Sequence, residues 1–144
     1  MSEVSSLRAG AATECSMTWL AQAGLRPTRQ RRALADLLLG GGNRHLTAEA
    51  LHAEARRADA GVSLATVYNA LKAFTSAGLL REIVIEPGRV YYDTRSDDHP
   101  HFYFEDDCTI ADAPAGSVTF DTLPDAPEGM EIASVDVVVR LRRK

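Results

Sequence analysis

Two histidines, His99 and His101, flank Pro100, and Asp112 follows further along the chain. Between them, Phe102-Tyr103-Phe104 leads into Glu105-Asp106-Asp107-Cys108, and Thr109-Ile110-Ala111-Asp112 leads out. The first and last of these read as strands and the middle as a turn. With that turn Phe104 faces Thr109, and counting outward sets His101 opposite Asp112. Opposed residues of an antiparallel pair have Cβ atoms roughly 4.5–5.5 Å apart, close enough to share a small cation. His99 projects from the same face as His101 if Pro100 does not break the strand. Imidazole and carboxylate donors suit Fe²⁺, Mn²⁺ or Zn²⁺, and the residue types alone do not choose among them. Haem iron is the rival ligand for the same two histidines. His52, which has no such companions nearby in sequence, reads as a surface residue.

A second chemistry is carried by cations. Arg26, Arg29, Arg31 and Arg32 cluster where Pro27 presets a helix start and Thr28 can cap it. Cations oppose the dipole at a helix N-terminus, so a phosphate partner explains the cluster better than a solvated face. Further on, Ser63 caps a helix that runs to Gly78, with Leu64, Val67, Leu71 and Phe74 on its inward face. The opposite face carries Ala65, Asn69, Lys72, Ala73 and Ser76, with Tyr68 on its flank and Thr66 in the first turn. From Ala60 to Arg81 there is no Asp or Glu, so this face can approach a polyanion. Its free N–H groups and positive dipole end suit a phosphate.

The elements that must position these residues are legible in the pattern. A short helix at 16–23, anchored by Trp19 and Leu20, stops at Gly24, and residues 1–14 read as a flexible tail. The helix after Thr28 buries Leu34, Leu37 and Leu38 and ends at Gly40-Gly41-Gly42. Thr47 caps another over Ala48 to Ala58, with Leu51 and Ala55 inward. Strands are expected at Leu79–Glu86 and Arg89–Asp93 around a Pro87-Gly88 turn. Three helices and a hairpin make a winged helix, whose third helix enters the major groove. Beyond Asp98 the pattern is short strands, including Ser117–Asp121 and a long Val-rich strand over Glu131–Leu141, with a Pro-rich loop at Leu123–Gly129. The fold class is α+β, with a winged helix-turn-helix domain at 1–93, a hinge at 94–98 and a small α/β dimerisation and metal-sensing domain at 99–144.

Composition supports the division. The net charge is −4, but residues 1–95 hold 12 Lys/Arg and 9 Asp/Glu (+3), whereas residues 96–144 hold 4 and 11 (−7). A basic half can bind phosphates while an acidic half does something else. Cys15 and Cys108 stand far apart with no Cys-x-x-Cys, which leaves no disulfide framework and no structural four-cysteine zinc site. No apolar run is long enough to span a bilayer and there is no leader, so the protein reads as cytoplasmic, with no membrane partner.

The motifs, taken together, resemble the ferric uptake regulator family. They are Gly24-Leu-Arg-Pro-Thr-Arg-Gln-Arg31, His45-Leu-Thr-Ala-Glu49, Leu64-Ala-Thr-Val-Tyr68-Asn-Ala-Leu71, Ala77-Gly-Leu-Leu80 and His99-Pro-His101. The ending Val135-Asp-Val-Val-Val-Arg-Leu-Arg-Arg-Lys144 and the missing Cys-x-x-Cys are similar to the iron response regulator branch. The resemblance implies a homodimeric, metal-responsive transcriptional regulator, commonly a repressor, that binds a palindromic operator and controls iron or haem genes. It adds His45 and Asp93 to His101 and Asp112 as the regulatory metal site between the domains, with His99 as an additional metal or haem ligand. It implies that Arg26 reaches an A·T-rich minor groove and that Tyr68 packs on thymine methyls. Asn69 stands where the family commonly has Arg, and Asn prefers adenine where Arg forks onto guanine. The DNA-contacting set is then Arg26, Thr28, Arg29, Ser63, Thr66, Tyr68, Asn69 and Lys72. Three alternatives stay open: a haem-binding regulator using His99 and His101, a metal-dependent hydrolase, and a winged helix used on a protein partner.

Overall fold

The structure, a computed structural model, describes residues 16–144. The tail expected at 1–14 lies outside them. The chain divides into two compact units between Ser96 and Asp97.

In the first unit, residues 16–22 are helical and are followed by α1 (Arg29–Gly40), α2 (Ala48–Arg57) and α3 (Leu64–Ser76). Each numbered helix starts where a hydroxyl can accept from an otherwise unpaired N–H. Thr28 accepts from the Arg31 N–H at 3.3 Å, Thr47 from that of Ala50 at 3.1 Å, and Ser63 from that of Thr66 at 3.2 Å. The helices bury one apolar stripe each, and Leu34, Leu38, Leu51, Val67, Leu71 and Phe74 are closed to solvent together with Leu20. Trp19 meets Phe74 edge-on at 5.2 Å. In α3 the buried set is Val67, Ala70, Leu71 and Phe74, while Leu64 is only half-buried. The first turn of a helix has less protein around it, so the cap end of the stripe stays wet.

Gly78 ends α3 at φ +79°, with its N–H on Thr75 O at 3.0 Å and the Leu79 N–H on Phe74 O at 2.9 Å. These two bonds close the orphan carbonyls of the last turn. They also explain why the strand expected from Leu79 begins two residues later: Leu79 is spent on the cap. β2 (Arg81–Glu86) and β3 (Arg89–Asp93) form the hairpin, and a two-residue β1 (His45–Leu46) pairs with β3, giving the order β1-β3-β2. Nothing in the local sequence pattern marks β1; two residues are too few to show a period.

In the second unit β4 (His101–Phe104) and β5 (Thr109–Asp112) are antiparallel, with His101 opposite Asp112 and Phe104 opposite Thr109. β6 (Val138–Leu141) lies on the other side of β4 and runs parallel to it, in the order β5-β4-β6. The long terminal strand expected over Glu131–Leu141 is therefore shorter. Its partner β4 has four residues, and Pro100 just before it has no N–H to extend the ladder. Pairing reaches back only to Val137, whose carbonyl accepts from His101 N–H at 3.0 Å. Residues 117–121 form no strand. Ser117 instead folds onto Pro114, whose carbonyl accepts both its N–H at 3.1 Å and its hydroxyl at 2.6 Å.

Candidate metal centre and nucleic-acid interface

Each unit, taken by itself, brings together side chains that can ligate a metal. In the first, the register of β1 on β3 sets His45 opposite Asp93. His45 Nε2 lies 3.1 Å from Asp93 Oδ2, and the Arg95 N–H donates to the other carboxylate oxygen at 2.8 Å. Asp93 is 1% exposed, so its charge has to be matched by these close partners.

In the second unit three side chains converge. Asp112 Oδ1 lies 2.8 Å from His99 Nε2 and 3.4 Å from His101 Nε2, and the two imidazole rings are 4.3 Å apart. His99 precedes the strand rather than belonging to it, yet its ring lies beside that of His101 and against the same carboxylate, as the sequence leads one to expect. His99 Nδ1 lies 2.8 Å from the Asp97 carbonyl oxygen. That oxygen can only accept, which assigns the proton to Nδ1 and turns the lone-pair edge at Nε2 toward Asp112. A lone pair and a carboxylate oxygen at that separation require a cation between them, either a proton or a metal ion. Donors bonded to one small ion at roughly 2.0–2.2 Å stand about 3 Å apart. One ligand atom from each of His99, His101 and Asp112 lies within 4.8 Å of the others, so the residues fit such an ion.

The nucleic-acid residues belong to the first unit. Arg26, Thr28, Gln30 and Arg31 at the start of α1, together with Thr66 and Asn69 of α3, line one concavity of about 350 Å³. No acidic side chain lines it. Arg31 Nη1 donates to Arg26 O at 3.1 Å, which ties the guanidinium to the turn ahead of the helix. Arg29 Nη1 donates to Ala60 O at 2.9 Å, so Arg29 braces the loop that leads to Ser63. That loop is shaped by Asp59 at φ +53°, whose neighbour Ala60 closes α2 through its N–H on Ala55 O at 2.9 Å. Ser63 Oγ and Thr66 Oγ1 are 2.9 Å apart at the α3 start. Tyr68 is 44% exposed, and Lys72 and Asn69 are exposed on the same helix. The Tyr68 hydroxyl donates to Glu49 Oε1. That bond, more than any desolvation, holds the phenol above its ordinary pKa.

Two residues of this surface, Gln30 and Glu49, escaped the sequence reading. Gln30 and Arg31 line the concavity, although only Arg31 was visible as part of a basic cluster. Glu49 is brought to Tyr68 by tertiary packing across nineteen positions, and no local signal carries that information.

The chain belongs to the ferric uptake regulator family, whose model matches residues 22–119. It is 34% identical over 76 residues to a ferric uptake regulation protein of Rhizobium leguminosarum bv. viciae, a match covering 53% of each. The chain thus spans about half the length of that relative. It is 30% identical over 99 residues to the peroxide-responsive repressor PerR of Staphylococcus aureus, covering 69% of this chain and 66% of that protein. Among solved structures it resembles the ferric uptake regulator of Pseudomonas aeruginosa with manganese, at 25% identity and a TM-score of 0.67, covering 90% of this chain and 98% of that one. Among the described residues, no helix is long and apolar enough to cross a membrane.

Proposed function

We propose that this chain is a metal-responsive transcriptional regulator of the cytoplasm that binds double-stranded operator DNA as a homodimer. The observation that carries the reading is the acid-free concavity shared by the start of α1 and the exposed side of α3. Arg26, Thr28 and Arg29 would take the backbone and minor groove, Ser63 and Thr66 a phosphate at the start of α3, and Tyr68, Asn69 and Lys72 the major groove. The manganese in the Pseudomonas aeruginosa structure supports a divalent ion here. His45 and Asp93 from the first unit and His101 and Asp112 from the second, with His99 beside them, would hold it. When bound, the ion would join ligands from both units and so restrain the recognition helices of a dimer. Exposed Phe120, Leu123, Met130, Ile132 and Val135 in the second unit support the dimer, because a lone subunit would leave them in water. The absence of Cys-x-x-Cys and the Val-rich ending support the iron response regulator branch.

A second reading, haem in place of a metal ion, has one observation in its favour. His99 lines an apolar cavity of about 380 Å³ together with Val118, Phe120, Leu123, Ile132 and Val135. A Soret band on hemin titration that is lost in His99→Ala would support it.

The test of the main reading is a gel shift of fragmented genomic DNA with Mn²⁺ and with chelator. Sequence-selective retardation that depends on the metal supports it. Retardation of all fragments alike, or of none, refutes it.

A further inference from the structure

The carboxylate of Glu49 is out of place on a surface that otherwise suits a polyanion. From Ala60 to Arg81 the sequence supplies no acid, yet the fold carries Glu49 from the first turn of α2 to the Tyr68 hydroxyl. Both side chains are exposed, and both line a concavity of about 330 Å³ between α2, α3 and the hairpin, where Arg89, Tyr91 and Tyr92 complete the wall. An acidic side chain near a helix N-terminus is stabilised by the helix dipole, so the fold tolerates it there at little cost. Toward DNA, the same charge opposes every phosphate that approaches, whatever the base sequence. An exposed tyrosine ring must also give up rotamer freedom when it packs on a base, and a ring already held by its hydroxyl gives up less.

We propose that Glu49 is a positioning and specificity-determining residue of the DNA-reading face. It fixes the Tyr68 ring through the hydroxyl, favouring the sequence Tyr68 can read, and sets beside it a negative charge that lowers binding to every sequence, so that only a sequence gaining the ring contact is held well. A carboxylate has acceptor capacity beyond one bond and can also take the amino group of cytosine in the major groove. Specificity of this kind needs a repulsive element as well as an attractive one. The inference rests on the regulator reading above.

The experiment uses the full chain with Mn²⁺ and two probes. One is a duplex recovered by selection from a random-sequence library on the wild type; the other is a scrambled duplex of the same length. Fluorescence anisotropy gives the ratio of the two affinities for wild type, E49A, E49Q, Y68F and E49A/Y68F. E49A is expected to lower the ratio about tenfold, the order of one good contact at a base, while strengthening the scrambled complex. Y68F should lower the ratio too, and the double variant no further than the lower single one, because both remove the same bond. E49Q retains an acceptor, so it should keep more of the ratio than E49A while also strengthening the scrambled complex. A ratio unchanged in E49A, or single effects that multiply in the double variant, overturns the proposal. If the wild type enriches no sequence at all, the regulator reading fails and this inference falls with it.

Discussion

Asp112→Asn removes the one carboxylate oxygen that lies against both imidazoles, at 2.8 Å from His99 and 3.4 Å from His101, and keeps the shape of the side chain. What remains on the Nε2 side is the histidine pair, while Asp97 Oδ2 lies 3.8 Å from His99 Nδ1 on the other edge of that ring. Loss of a charged ligand should weaken divalent metal at least as much as loss of an outer partner, which lowers affinity about 10–100-fold. A ligand that binds only the folded state stabilises it by RT ln(1 + [L]/Kd), so free Mn²⁺ at one hundred times the wild-type Kd adds about 2.7 kcal/mol. At the same concentration a hundredfold weaker site adds only about 0.4 kcal/mol. With about 2–4 °C of Tm per kcal/mol for chains of this size, Mn²⁺ should raise the wild-type Tm by about 5–11 °C and that of the variant by about 1–2 °C. Thermal unfolding followed by circular dichroism at matched free Mn²⁺ reads this directly, and the metal-free proteins serve as their own reference. An Asp112→Asn protein that gains as much from Mn²⁺ as the wild type would refute the reasoning and take Asp112 out of the site.

Other expectations concern the scaffold and the interface. Phe74 is closed to solvent against Trp19, and Phe74→Ala should destabilise the first unit by about 3–5 kcal/mol in urea unfolding. The bidentate pair of Arg44 with Glu54, mainly through its hydrogen bonds, holds the Glu54 carboxyl below the usual carboxylate range. Its contribution, about 0.2–1 kcal/mol for so accessible a pair, should be complete above the unfolded-state pKa and lost as the pH falls through the lower folded one. Stability curves of wild type and Glu54→Gln, separated at neutral pH, should therefore converge in acid. Arg26→Ala should weaken binding to all DNA sequences alike and reduce the salt slope by about one unit, checked by anisotropy between low and moderate salt.

What the sequence disclosed followed range and period. The three helix caps at Thr28, Thr47 and Ser63, the stripes behind them and the Gly78 stop are local, and each fell where residue type put it. The pairing of His101 with Asp112 was also legible, because a short turn fixes the register of the strands it joins. The pairing of His45 with Asp93 was not. It depends on a two-residue strand joining a hairpin across more than forty positions, and only the family resemblance suggested both residues together. The terminal strand was overestimated for a related reason: Val135, Val137, Val138 and Val139 are β-formers, but a strand extends only as far as the partner beside it. Glu49 shows the same limit at the interface, where a charge absent from the recognition helix arrives from another element.

The most direct measurement is the affinity of the full-length protein for its selected operator, with Mn²⁺ and with chelator, for the wild type and for His45→Ala. A cation held by both units should change wild-type affinity about 5–150-fold, the usual range of allosteric coupling, and His45→Ala should lose most of that change. Equal wild-type affinities with and without metal would contradict the claim that metal status is read out through DNA binding.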